Sequence, residues 1–170
     1  MKKIVLFTLI FVLSLTVSVS ASAFGWGKIG VRGTYHTAGL SSEGAPTVRG
    51  GGGGIAVNVY LPVPGMAVQP ELNYIYKCDR QMLEIPVNFQ IGLDLVLVRP
   101  FICVTPYLNL PLSTGGNLEV NPFQAGFGIG GGIDLWRFQI QCRYNWNITD
   151  FYKNETGKLR GVDLGLVFFF

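Results

Sequence analysis

The chain has 170 residues, of which 49% are hydrophobic and only 14% are charged. A soluble globular domain usually has about 25% charged residues, so this composition argues against a free cytosolic globule and against a disordered chain. The mean hydropathy of +0.38 instead favours a membrane protein. However, the only long apolar stretch lies at the extreme N-terminus, which argues against a bundle of transmembrane helices.

The N-terminus has the layout of a secretory signal peptide. Two lysines open the chain, the apolar segment Ile4–Val19 follows, and the small residues Ala21–Ala23 come next. A basic start, an apolar segment and a small-residue cleavage site are the three parts of such a peptide. A membrane anchor is the weaker alternative, because the segment is short and rich in hydroxyl groups. We therefore predict a signal peptide at residues 1–23 and one exported domain at residues 24–170.

The exported domain offers no obvious ligand chemistry. Without the two N-terminal lysines it is nearly neutral, so there is no electrostatic basis for binding nucleic acid. Cys78, Cys103 and Cys142 are widely spaced, and His36 is the single histidine. A structural zinc site needs four suitably spaced ligands. We expect isolated thiols, no metal centre and no cofactor.

Alternation of apolar and polar residues is clearest in the segment Trp136–Ile148. Every even-numbered position there is apolar or aromatic, and every odd-numbered position through Asn147 is polar or charged. A period of two is typical of a β-strand with one apolar and one polar face. A helix with this sequence would scatter its charges around the whole circumference, so we predict a strand.

The same alternation divides the exported domain into eight strands. In chain order they are Lys28–Tyr35, Ile55–Leu61, Val68–Tyr76, Leu83–Phe89, Arg99–Leu110, Phe123–Asp134, Trp136–Ile148 and Leu159–Phe170. Both faces of the fifth carry apolar residues, so its register stays open. Connections after odd-numbered strands are polar and mostly long, whereas those after even-numbered strands are short, as in outer-membrane barrels. We predict an all-β fold, namely an eight-stranded antiparallel up-and-down transmembrane β-barrel.

Alternation alone does not say which face points outward, since a soluble lipocalin-type barrel keeps its apolar face inside. Three features favour lipid on the apolar side. Charges of both signs share the other face, where we expect a polar network in the lumen: Arg32, Glu71, Glu84, Arg99, Asp134, Arg137, Arg143 and Asp163. Aromatic residues near both predicted membrane boundaries are typical of two girdles: Tyr35, Tyr76, Trp136 and Trp146. The chain ends in an alternating apolar segment that resembles the signal read by the barrel assembly machinery: Leu166, Phe168 and Phe170.

An eight-stranded barrel has a lumen only wide enough for side chains to fill. A two-residue turn at 135–136 would place three glycines opposite three long polar side chains: Gly132 with Gln139, Gly130 with Gln141, and Gly128 with Arg143. Each glycine would then make room for its neighbour. The alternative is that these glycines only permit the strand to bend. We predict a filled lumen rather than an open pore.

Several short motifs resemble those of PorT-like outer-membrane β-barrel proteins. They are PELNY at Pro70–Tyr74, LEIPV at Leu83–Val87, RPF at Arg99–Phe101, PYL at Pro106–Leu108 and GVRG at Gly30–Gly33. The chain departs from the family pattern at Cys103 and Thr105, where small glycine-like residues are usual. The resemblance implies an eight-stranded outer-membrane barrel. The namesake of the family is associated with a secretion system, and the resemblance brings no catalytic residue with it.

Three functional readings follow from these observations. We predict a monomeric, non-enzymatic barrel that contacts outer-membrane lipid and has a structural role or an interaction role through its loops, with an extracellular or envelope protein as the partner. One alternative is a lipid A acylhydrolase that uses His36, at the outer edge of the first strand, with Ser41, Ser42 or Glu43 of the adjoining loop. The other alternative is a small ion-conducting porin.

Overall fold

The computed structural model describes residues 27–40, 48–77, 80–112, 123–149 and 159–170. The predicted signal peptide at residues 1–23 lies outside this range, as do Ser41, Ser42, Glu43 and Cys78. Among the described residues, no helix has the length and apolar character needed to cross a membrane.

Eight antiparallel strands close into a barrel in which each strand pairs with its sequence neighbours and the last pairs with the first. The strands are β1 (Gly27–Leu40), β2 (Val48–Tyr60), β3 (Met66–Lys77), β4 (Arg80–Gly92), β5 (Val98–Pro111), β6 (Gln124–Leu135), β7 (Phe138–Asn147) and β8 (Leu159–Phe169). The predicted fold class and strand order are confirmed. Closure leaves no unpaired sheet edge among these strands.

The first two strands extend well beyond their predicted ends. The first predicted strand ends at Tyr35 and the second begins at Ile55, but β1 runs to Leu40 and β2 begins at Val48. The glycine run Gly50–Gly54 therefore lies within β2, where it pairs with both β1 and β3. Glycine is disfavoured in isolated strands, but hydrogen-bonded neighbours on both sides override that preference. An added Cβ at Gly52 would also lie only 2.8 Å from the Cα of Ile75, so the close approach of β3 requires glycine there.

The turn between β6 and β7 is one residue later than predicted. Trp136 and Arg137 form the two-residue loop, Leu135 pairs with Phe138, and Trp136 has a φ of 55°. Two-residue hairpin loops favour a positive φ at the first position, because it matches the strand twist. The predicted glycine pairings are therefore wrong by two residues. The observed pairs are Gly132 with Gln141, Gly130 with Arg143, and Gly128 with Asn145.

This turn also corrects the predicted location of Arg137. The sequence placed Arg137 in the lumen because it has the same parity as Gln139 and Arg143. Instead, Arg137 is exposed in the turn, with its guanidinium 5.0 Å from the centre of the Trp136 ring. Alternation places a side chain in the lumen only within a strand, and β7 begins at Phe138, one residue after Arg137.

The two faces of the barrel differ sharply in polarity. Along β7, Gln139, Gln141 and Arg143 are buried, whereas Ile140 and Tyr144 are exposed. The same separation settles the register of β5. Its interior residues are Arg99, Phe101, Cys103, Thr105, Tyr107 and Asn109, and the residues between them face outward. A small apolar cluster of Ala56, Val167 and Phe169 is buried inside. Most of the remaining buried side chains are polar or charged.

Candidate functional site in the barrel interior

Five charged residues on five strands form what we name the central charge cluster: Arg32, Glu71, Glu84, Arg143 and Asp163. Arg32 holds one side of it. Its Nη1 lies 3.1 Å from Glu71 Oε1 and its Nη2 lies 3.3 Å from Asp163 Oδ1. All three side chains are fully shielded from solvent. Nη1 also donates to Gln141 Oε1 at 2.7 Å, so this guanidinium bridges β1 to β3, β7 and β8.

Arg143 holds the other side of the cluster. Its Nη2 donates to Asp163 Oδ2, and its Nη1 donates to Asn88 Oδ1 at 2.9 Å. Glu71 and Glu84 lie slightly further away, at 3.8 and 3.9 Å from its two terminal nitrogens. A buried charge is costly unless it is paired and hydrogen-bonded, and Arg143 meets both conditions.

The two glutamates of the cluster are in contrasting environments. Glu71 accepts hydrogen bonds from Arg32 and from three amide side chains, those of Gln69, Asn73 and Asn88, at 2.7–3.1 Å. Glu84 Oε1 is buried and has no hydrogen-bond partner among the described residues. The Glu71 carboxylate therefore has hydrogen-bond partners on both oxygens, whereas the Glu84 carboxylate has none on Oε1.

A second ion pair lies near the β2–β3 and β4–β5 turns. Arg99 Nη1 lies 2.9 Å from Asp134 Oδ2, and Arg99 Nε lies 3.1 Å from Asp94 Oδ1. Arg99 also donates to the Gly65 carbonyl at 2.9 Å. These contacts hold the two turns together at this end of the barrel.

Amide side chains join this pair to the central charge cluster. Arg99 donates to Gln90, Gln90 donates to Gln69, and Gln69 donates to Glu71, at distances of 2.8–3.0 Å. The result is a continuous hydrogen-bonded chain through the lumen. Sequence reasoning identified the charged members together with Gln139 and Gln141, but left Gln69, Gln90 and Asn88 out of the predicted network. Their signal was available, because they occupy the same strand parity as the charges.

The structure places the sequence-predicted residues as follows. Seven of the eight predicted lumen charges face the interior, the exception being Arg137. Of the predicted girdle residues, Tyr35, Tyr76 and Trp136 are exposed, and Trp146 packs against Phe127 and Tyr144.

Near the C-terminus, Leu166 is exposed, and Phe168 lies 5.1 Å from the Phe138 ring and 5.6 Å from the Phe170 ring. The role of these last residues in assembly stays a prediction.

We predicted that His36 lies at the outer edge of the first strand, but the structure places its side chain inside the barrel. Because β1 continues to Leu40, its side chain points into the lumen and is 2% exposed. Its Nε2 lies 3.3 Å from Thr34 Oγ1. The loop residues proposed to act with it lie outside the described range.

The two described cysteines lie on opposite faces, with Cys103 in the lumen and Cys142 exposed, and both are free thiols. Cys103 Sγ lies 3.3 Å from Gln141 Nε2. Cys103 and Thr105 pair with Gly130 and Gly128 of β6. At these two positions, where the chain departs from the PorT-like pattern, the neighbouring strand therefore has the small residues.

Gly165 makes room for the central charge cluster, and we expect Gly165→Ala to lower the free energy of unfolding by about 1–3 kcal/mol. An added Cβ at Gly165 would lie against the guanidinium of Arg32, which is held by its ion pairs. Gly33, one residue pair away on β1, has no atom within 4 Å of its added Cβ. Gly33→Ala is the matched control, with an expected change below about 0.5 kcal/mol. Urea unfolding followed by tryptophan fluorescence measures both, and equal effects would contradict the packing argument.

No protein-family model and no curated protein sequence matches the chain. Among solved structures, Neisserial surface protein A (NspA) is similar at 14% identity with a TM-score of 0.57, over 84% of this chain and 97% of that chain. Ail of Yersinia pestis has 13% identity and a TM-score of 0.46, over 85% of this chain and 99% of its own. The N-terminal β-barrel domain of Pseudomonas aeruginosa OprF has 16% identity and a TM-score of 0.45, over the same two shares. Identities this low establish likeness of fold alone. The chain is thus a closed eight-stranded antiparallel barrel similar in fold to NspA.

Proposed function

We propose that this chain is an integral outer-membrane barrel with a plugged lumen, and that it acts as a non-enzymatic envelope or interaction protein rather than as a channel. The observation that carries the proposal is the reversed polarity of the barrel. Ion pairs and amides fill its interior, while large apolar side chains cover its outside. In water such a barrel would expose far more contiguous apolar surface than a soluble monomer tolerates.

The outer surface supports lipid contact in particular. Ile102 is 68% exposed, Ile129 is 50% exposed and Leu166 is 52% exposed, and each lies well inside its strand. The strands are 10–14 residues long, which suffices to cross a bilayer when about 9–11 tilted residues are needed. A closed barrel also satisfies its backbone groups internally, as a lipid environment requires.

The filled lumen supports a non-conducting barrel. The chain of hydrogen bonds from Arg99 to Glu71 and the central charge cluster occupy the space through which ions would pass. Moving ions through would require these buried pairs to separate, which is costly in a low-dielectric interior.

We expect the purified barrel to give no steady current in planar bilayers. A conducting porin added to the same bilayer at the end of the experiment verifies that insertion and detection work. Insertion of the barrel is verified separately by its resistance to protease in vesicles. A steady ion current from the inserted wild-type barrel would contradict the plugged lumen and favour the porin alternative.

A PorT-like role is a finer proposal that rests on the motifs PELNY and LEIPV. These motifs are neighbours on β3 and β4, with Pro70 paired to Val87 and Asn73 paired to Glu84. Their glutamates, Glu71 and Glu84, both belong to the central charge cluster. The motifs therefore have a structural use in the lumen, and the proposed secretion or partner-binding role is assigned to the loops. Outer-membrane lipid and the barrel assembly machinery are the other proposed partners of what we take to be a monomer.

A further inference from the structure

We propose that the barrel interior binds one divalent transition-metal ion of the zinc class through His36, Glu84 and Asp163. The three side chains are buried and come from β1, β4 and β8. One potential ligand atom from each lies within 4.8 Å of those of the other two. A metal ion placed among them would be coordinated by three protein groups from different strands.

Glu84 provides the strongest indication of a missing partner. Its side chain is only 4% exposed, and its buried Oε1 accepts no hydrogen bond from any described residue. Arg143 Nη2 lies 3.9 Å from this oxygen, which is beyond hydrogen-bonding distance. Leaving a buried carboxylate oxygen unsatisfied is unfavourable, and a coordinated cation would remove that cost.

One ring nitrogen of His36 has a polar partner inside the lumen. Thr34 Oγ1 donates to Asp163 Oδ1 at 2.6 Å, so the lone pairs of the same hydroxyl are free to accept the Nε2–H of His36 at 3.3 Å. With the hydroxyl proton donated to Asp163, the contact is satisfied by the tautomer of His36 that has its proton on Nε2 and its lone pair on Nδ1. A second ring nitrogen held by a polar partner in this way is typical of histidines that bind metal.

The donor set and the charge balance favour a zinc-class ion. One imidazole nitrogen and two carboxylate oxygens resemble the three-ligand sites in which zinc keeps a fourth position for water. The central charge cluster contains three carboxylates and only two guanidiniums, so it carries one excess negative charge. Lys77 and Arg80 lie opposite each other on β3 and β4, four residues beyond Asn73 and Glu84 and outside the cluster as defined.

Isothermal titration of the refolded full barrel in detergent with zinc chloride tests the proposal. A protein without a histidine tag is required, because His36 is the only histidine of the chain. We expect one zinc ion per barrel, with His36→Gln and Glu84→Gln each weakening binding by at least about tenfold. Glu71→Gln is the matched control, because it removes the same charge from the same cluster but takes away no ligand, so it should weaken binding clearly less than Glu84→Gln does.

Three results would overturn the site. They are no binding by the wild-type barrel at millimolar zinc, undiminished binding by His36→Gln, and a loss in Glu71→Gln as large as in Glu84→Gln. Equal binding of magnesium would also count against it, since an imidazole ligand favours zinc. If the variants fail to fold, the wild-type protein suffices: zinc should raise the unfolding temperature of the barrel, and an unchanged temperature at millimolar zinc would refute the proposal.

Discussion

Replacing Arg143 by leucine is expected to lower the free energy of unfolding by about 3–5 kcal/mol, the usual cost of breaking a buried ion pair from one side. Arg143 is 1% exposed and donates to Asp163 and Asn88. Leucine would leave the buried Asp163 carboxylate without one of its two guanidinium partners. The readouts are the unfolding temperature and the fraction that migrates as the compact, heat-modifiable form on a gel.

Arg137→Leu is the control for the same change of side chain. Arg137 lies in the exposed β6–β7 turn, so its loss is expected to change stability by less than about 0.5 kcal/mol. The alternation in the sequence by itself places both arginines in the lumen and would predict two large effects. An Arg143→Leu variant that unfolds at the wild-type temperature would show that the central charge cluster does not stabilise the barrel.

Placing arginine at Ile129 is expected to lower stability in lipid vesicles by about 2–4 kcal/mol, the cost of a charge facing lipid near the bilayer midplane. Ile129 lies near the middle of β6, between Val104 and Tyr144 on the neighbouring strands, and faces outward. If the same surface faced water, replacing an exposed isoleucine would cost almost nothing. Denaturant unfolding of the vesicle-inserted protein therefore distinguishes lipid from water on this face.

Leu97→Arg is the matched control, because Leu97 is also apolar and exposed but lies in the β4–β5 turn. Near the membrane interface the cost of an arginine falls to about 0–1 kcal/mol. A neutral Ile129→Arg combined with a destabilising Arg143→Leu would describe a barrel with a polar core in water, and would contradict the proposed membrane location.

Local alternation was sufficient to predict the strands and the direction of their side chains. Successive side chains of a strand point to opposite faces, so each run of period two assigns its residues to one face without reference to any other strand. Arg32, Glu71 and Asp163 could therefore be assigned to one face of the sheet from the sequence alone. The ends of β1 and β2 could not be predicted in this way, because the glycines Gly50–Gly54 have no side chains whose alternation would indicate a strand.

Only the tertiary structure decided how the strands are aligned. A shift of one residue exchanges the two faces, but a shift of two preserves them, so alternation cannot distinguish Gly130 opposite Gln141 from Gly130 opposite Arg143. The turn at Trp136 and Arg137 made that choice. Likewise, no local pattern brings together His36, Glu84 and Asp163, because they meet only after the sheet has closed and its strands face one another across the lumen. The sequence by itself determined which residues of a strand share a face, and closure of the barrel determined which of them touch.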